Sequence, residues 1–172
     1  MTYELKLNIS DSVRKEVIRD IRDPDKWLKE ERDDKSNLIV RARTHWEFHM
    51  NNDAAQTISE IIFDKIISNR HRRKWRTHQV WGAIYNKGEF AQKHRHGKQF
   101  WSWVYYLDCC KECAPLVFDN TSIKPEVDLL VHFSGEEFHE VPRQTCDHER
   151  IILSGNIIKV KNVMNWSEAY DV

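Results

Sequence analysis

From Gln79 onward the chain is a succession of short runs rich in β-branched and aromatic residues, each closed by turn-forming residues. The runs are Gln79 to Tyr85, Phe90 to His96, Trp101 to Leu107, Leu116 to Phe118, Asp128 to Phe133, His139 to Pro142 and Arg150 to Val160. Most have the length of a strand and fall short of the length at which a helix buries one face. Even recurrence of such runs after a helical beginning predicts a mainly β fold with N-terminal helices, built as a β-sandwich or jelly roll. Seven tryptophans, five tyrosines and seven phenylalanines supply the bulk needed where sheets pack face to face or line a pocket.

The N-terminal part reads differently. Tyr3 to Ile9 is a short strand, and Asp11 to Ile21 a helix with Ser10 as its cap and Val13, Val17, Ile18 and Ile21 along one face. Pro24 and the charged stretch Lys29 to Lys35 mark a turn or exposed loop. Asn37 to Met50 is read as a strand, because Leu38, Val40, Ala42 and Trp46 share one parity. Asp53 to Ser68 has the strongest helical spacing in the chain, with Ala54, Ile58, Ile61, Ile62 and Ile66. No repeat, low-complexity stretch or linker interrupts the sequence. The 172 residues are therefore read as one domain: an N-terminal support (1–76) bracing the outside of a sheet, a jelly-roll core (77–160) and a C-terminal tail (161–172).

Charge narrows the function classes. The 27 basic residues balance the 27 acidic ones, so no global field draws the chain to nucleic acid or membrane. No apolar run approaches the ~20 residues of a membrane span. Met1 to Ser10 lacks the apolar centre of a signal peptide, and four cysteines do not make a secreted disulfide framework, so the expected location is the cytoplasm.

Of nine histidines, His45, His49, His71, His78, His132 and His148 carry no signal beyond that of a packed or exposed residue. His94-Arg95-His96 differs. Alternate side chains of a strand share a face, so both imidazoles can point into one cavity. His139, from a later strand, completes a facial set of three and leaves the remaining positions of an octahedral metal open. Arg150 adds a fixed cation in the same cavity, suited to a carboxylate reaching in from the metal.

In order along the chain come Trp81-Gly82-Ala83-Ile84-Tyr85, Gly88, His94-Arg95-His96, Ser102 to Leu107 and Pro115-Leu116-Val117-Phe118. Asp128-Leu129-Leu130 with Phe133, His139-Glu140-Val141, and Arg150 through Ser154 to Asn156 follow. This series, slightly under half of the chain, resembles the 2-oxoglutarate- and Fe(II)-dependent oxygenases, particularly the small bacterial and phage-type members. The resemblance implies a double-stranded β-helix, Fe(II) on His94, His96 and His139, and 2-oxoglutarate anchored by Arg150. Tyr85 matches a tyrosine that contacts the same co-substrate, and Ser154, sharing parity with Arg150, is expected to add a hydrogen bond. It implies consumption of O2 and 2-oxoglutarate, release of succinate and CO2, and hydroxylation of a C–H bond. The substrate is a small molecule, a protein side chain or a nucleobase.

Three positions depart from that pattern. His96 stands where most of the superfamily has Asp or Glu, which leaves the iron site one unit more positive. Trp103 replaces a glycine beside the pocket and is expected to narrow it, and Ala83 stands where Asn is common. Phe100, Trp101 and Trp103 are candidates to line the mouth of the cavity or to sit in the core. Two other readings stay open. One is a three-histidine cupin-type enzyme without 2-oxoglutarate, for which the second motif is missing. The other is a non-catalytic binding module using the basic run Asn69 to Arg76, whose Trp75 would stack on a base; the bland view of that run is the solvated C-terminus of the preceding helix.

Cys110-Lys111-Glu112-Cys113 is a CxxC half-site, and Cys146-Asp147-His148 offers a second half. If the strand ending near Leu107 lies antiparallel to the one starting at Arg150, the two loops become neighbours at the end of the barrel away from iron. A structural zinc there is one expectation; four reduced loop cysteines are the other.

Overall fold

The computed structural model describes residues 2–28 and 38–160. The charged stretch read as a loop (Lys29 to Lys35) and the tail 161–172 lie outside the described residues.

Two helices sit on one side. α1 (Asp11–Ile21) buries Val17 and Ile21, and α2 (Asp53–Ile66) buries Ala54, Ala55, Ile58, Ile62 and Phe63. Both faces follow the apolar spacing of the sequence. The cap of α2 is Asn52, whose Oδ1 accepts from Ala55 N at 2.7 Å while Nδ2 donates to Asp20 Oδ2 of α1 at 2.6 Å. Ser10 precedes α1, but its side chain makes no capping bond. The turn into α1 is held instead by Asp128, whose carboxylate accepts from Asn8 N (2.6 Å) and Ile9 N (3.1 Å).

Eleven strands follow in chain order: β1 (Thr2–Lys6), β2 (Leu38–Ile39), β3 (Ala42–Arg43), β4 (Trp75–Tyr85), β5 (Phe90–His94), β6 (Phe100–Asp108), β7 (Leu116–Phe118), β8 (Ser122–Ile123), β9 (Leu129–Ser134), β10 (His139–Val141) and β11 (Arg150–Lys159). They form two antiparallel sheets, ordered β1-β9-β6-β11-β4-β3 and β2-β5-β10-β7-β8, which close as a jelly roll. Every run read as a strand after Gln79 contains a strand, with shifted ends. The segment Asn37 to Met50 does not form one strand: β2 and β3 join different sheets, and Phe48–Asn51 is a short 3-10 turn. Leu38, Val40 and Trp46 pack on the side of the smaller sheet, but Ala42 packs in the helix-side core, because the chain crosses from sheet to sheet within the segment.

The larger sheet is covered on both faces. Toward the helices lie Trp103, Tyr105, Leu107, Leu153 and Ile157; toward the smaller sheet lie Val104, Tyr106, Val131, Phe133 and Ile152. Both helices pack against the outer face of this sheet. Gly82 lets α1 approach, since a Cβ there would meet the Ile21 side chain at 2.3 Å. No helix among the described residues is long and apolar enough to cross a membrane.

Candidate metal centre and cofactor pocket

His94 and His139 face each other across an antiparallel pair, His94 at the end of β5 and His139 at the start of β10. His96 lies past the end of β5, so strand alternation alone does not place it. Its backbone N–H and that of Gly97 both donate to Gly135 O at 2.8 Å, and Gly97 takes φ +114°, a region open to glycine. The turn thereby returns the His96 ring to the other two. The ring centroids stand 4.2 Å (His94–His139), 5.1 Å (His94–His96) and 5.2 Å (His96–His139) apart, and one ring nitrogen from each lies within 4.8 Å of the others.

Tautomer follows from the hydrogen bonds. His94 Nδ1 lies 2.6 Å from Gln92 O and His139 Nδ1 lies 3.0 Å from Glu137 O. A carbonyl only accepts, so both Nδ1 atoms carry the proton and both Nε2 lone pairs are free for a metal. Burial disfavours the charged imidazolium throughout: it pushes His139 down to about 3 and His96 down to about 4, with His94 adding to both, and it lowers His94 as well. Three neutral imidazoles are a donor set for a borderline divalent ion such as Fe(II). Phe133 closes against His139 at 4.6 Å between ring centroids.

The cavity between the sheets has a volume of about 210 Å³. His94, His96 and His139 line it together with Arg150 and Tyr85, which oppose each other across β11 and β4. Arg150 is 1 % exposed. Its guanidinium stacks 4.2 Å from the Tyr85 ring centroid, and one terminal nitrogen donates to Ala114 O at 2.7 Å. Among the described residues no carboxylate pairs with it, and its Nε finds no acceptor. Two further buried donors nearby lack acceptors: Trp81 Nε1, on the cavity wall, and Tyr106 Oη, whose ring centroid lies 5.8 Å from the guanidinium carbon. A buried cation with orphaned donors around it is costly unless a ligand brings acceptors. The chemistry of this pocket fits a small carboxylate. Burial raises the Tyr106 phenol to about 12 and also raises Tyr85, so both stay protonated donors.

The residues assigned from sequence to iron and 2-oxoglutarate thus meet in one cavity, with one change of role. Ser154 lines the cavity, but its hydroxyl donates to Trp103 O at 2.8 Å and serves the sheet. Ala83 lies fully buried on the cavity side, next to Tyr85 in the core. Trp103 does not narrow the pocket. It is 1 % exposed among the helix-side core, where Gly155 makes room for it; a Cβ there would meet its ring at 2.5 Å. Trp101 packs on the same side, and Phe100 stacks with His78 at 5.9 Å, so none of the three aromatics lines the cavity. Missed in the sequence were Tyr106 and Trp81, and two contributions from the N-terminal third: Leu38 and Trp46, the latter edge-on to Trp81 at 4.7 Å. Tyr106 shares parity with Ser102 and Val104, and Leu38 with Trp46, but parity alone did not say which face turns toward the cavity.

The basic run is a separate exposed 3-10 turn (Asn69–Lys74), not the end of α2, which stops at Ile66. Trp75 packs against the helix-side core, and Arg72 pairs with Asp64 at 2.5 Å. The aromatic needed for base stacking is therefore engaged in the fold.

No family model matches the sequence, and no curated protein matches it. Solved structures do. A viral collagen prolyl hydroxylase from Paramecium bursaria Chlorella virus-1, in its 2-oxoglutarate complex, aligns with TM-score 0.71 at 17% identity over 92% of this chain and 96% of that one. A Pseudomonas putida prolyl-4-hydroxylase aligns at 0.68 and 19% identity, over 93% of each chain. The α-ketoglutarate-dependent non-haem epimerase SnoN of nogalamycin biosynthesis aligns at 0.70 and 9% identity, over 92% of this chain and 77% of that one. The chain has the jelly-roll fold of 2-oxoglutarate-dependent oxygenases.

Proposed function

We propose that this protein is a 2-oxoglutarate- and Fe(II)-dependent oxygenase that hydroxylates a C–H bond of its substrate. His94, His96 and His139 would hold the iron, and Arg150 would hold the distal carboxylate of 2-oxoglutarate, with Tyr85 and Tyr106 beside it. One observation carries this reading: three neutral imidazoles share a cavity with a buried cation that has no anionic partner among the described residues. Bound there, iron and co-substrate supply the oxidising chemistry, in which O2 and 2-oxoglutarate are consumed, succinate and CO2 leave, and C–H becomes C–OH.

The protein's own part is orientation and shielding. Backbone carbonyls at Gln92 and Glu137 set the His94 and His139 rings. The Ala114 carbonyl and the Tyr85 ring fix the plane of the guanidinium before any ligand arrives, so little ordering entropy is lost on binding. Apolar walls from Val104, Leu116, Phe133 and Ile152 limit water around the reacting atoms. Replacing a carboxylate by His96 leaves the site one unit more positive, which favours a dianionic co-substrate.

A three-histidine enzyme that does without 2-oxoglutarate gives Arg150 no task, and the occupied Trp75 argues against a stacking module. The deciding experiment adds Fe(II) and 2-oxoglutarate to the apo-protein without oxygen and records the visible metal-to-ligand charge-transfer band of chelated 2-oxoglutarate. The band is expected in the native chain and absent in His94→Ala and Arg150→Ala. Iron binding without the band would move the assignment to a three-histidine site of another class.

A further inference from the structure

The far end of the barrel carries a second cluster. Cys110 and Cys113 lie in the loop between β6 and β7, and Cys146 in the loop between β10 and β11. Antiparallel pairing of β6 with β11, where Ile151 stands opposite Asp108, brings the two loops together. The three sulfurs form a nearly equilateral triangle: Cys110–Cys113 3.7 Å, Cys113–Cys146 3.7 Å and Cys110–Cys146 3.8 Å.

The triangle's size is informative. Three thiolates bound at ~2.3 Å to a tetrahedral Zn²⁺ stand about 3.75 Å apart. A pair poised for a disulfide has no reason to place a third sulfur at the same distance from both. N–H donors point at the sulfur that is most buried: Cys110 N reaches Cys113 Sγ at 3.3 Å, and Gln144 Nε2 reaches it at 3.5 Å. Such donors stabilise a metal-bound thiolate from its outer side. Gln144, 1 % exposed, also bridges the same two loops: its Oε1 accepts from Ala114 N at 2.9 Å, and its Nε2 donates to His148 O at 2.8 Å, with a longer contact to Tyr85 O at 3.4 Å.

We infer that Cys110, Cys113 and Cys146 form a zinc site that staples the β6–β7 loop to the β10–β11 loop behind Arg150. Binding replaces three thiol protons, released to solvent, by one Zn²⁺ on three thiolates, and the fourth position is left to an exchangeable ligand. His148, the fourth ligand expected from sequence, stands outside the triangle with its Nε2 3.2 Å from Asp108 Oδ1. The staple has a reach beyond its loops. Ala114, next to Cys113, supplies the carbonyl that holds Arg150. Under the reading of Arg150 as the co-substrate anchor, the zinc fixes that carbonyl; the site itself stands independently of that reading.

The test uses the full chain with the histidine site removed, His94→Ala/His139→Ala, purified and treated with an iron chelator. Elemental analysis should find one zinc per chain. Titration with p-hydroxymercuribenzoate should release it in step with modification of three thiols. Cys113→Ser in the same background should lose it. Should that variant fail to fold, Co²⁺ added to the zinc-stripped parent gives the same answer through its thiolate-to-cobalt charge-transfer bands. Zinc absent from the parent, zinc retained without the cysteines, or a chain two hydrogens lighter from a disulfide would each overturn the assignment. Because iron and 2-oxoglutarate take no part in these measurements, failure here is distinct from failure of the oxygenase reading.

Discussion

β6 runs from one three-donor cluster to another. At its Phe100 end stand three imidazoles inside the barrel; at its Asp108 end three thiols tie loops outside it. The imidazoles are neutral and line a cavity, His139 buried and His94 and His96 half-buried, so a metal there keeps open positions for ligands. The thiols sit at van der Waals spacing between two loops beside a committed glutamine, which suits an ion that ties those loops together. Similar donor counts therefore imply different work, because one cluster faces space and the other faces loops. Arg150 lies between them, its face to the cavity and its back held by the Ala114 carbonyl of the cysteine loop.

Removing a ligand at the histidine end should have the largest effect. Outer-sphere changes at metal sites cost ~10–100-fold in affinity, so loss of His94 or His139 itself should weaken Fe(II) binding more than about 100-fold by calorimetry. Zinc content should not move, and if it did the two ends would be one coupled site. Arg150→Ala comes next. Losing one partner of a buried ion pair costs ~3–5 kcal/mol, so the 2-oxoglutarate Kd should rise by roughly 10²- to 4 × 10³-fold while iron affinity holds. An unchanged Kd would break the assignment of that cation.

Smaller effects sharpen the contrast. Stripping zinc should raise the 2-oxoglutarate Kd several-fold through the freed Ala114 carbonyl, leaving iron affinity as it was. Tyr106→Phe removes an orphaned donor beside Arg150 and should cost ~1 kcal/mol of 2-oxoglutarate binding, about fivefold. Ser154→Ala should leave that Kd within about twofold and lower stability by ~1 kcal/mol in urea titrations, since its hydroxyl serves Trp103 O.

Much of this was legible in the chain itself. The periodicity of 11–21 and 53–68 specified two amphipathic helices, the second of which ends at Ile66, and short β-rich runs specified the strands, because those signals depend on near neighbours. Arg150 and Ser154, four apart on one strand, share a cavity for the same reason. Faces were harder. Both sides of β6 are buried, so its sequence shows no apolar–polar alternation to say that Trp103 turns to the helices and Tyr106 to the smaller sheet. Only closure of the sheets decided that, as it decided that Leu38 and Trp46 reach the pocket and that a glycine turn returns His96 to its partners. The cysteine triangle is the sharpest case: CxxC announced a half-site, but its third sulfur comes from a loop more than thirty residues on. Local pattern determines which side chains a strand offers, and the pairing of distant strands determines which of them meet.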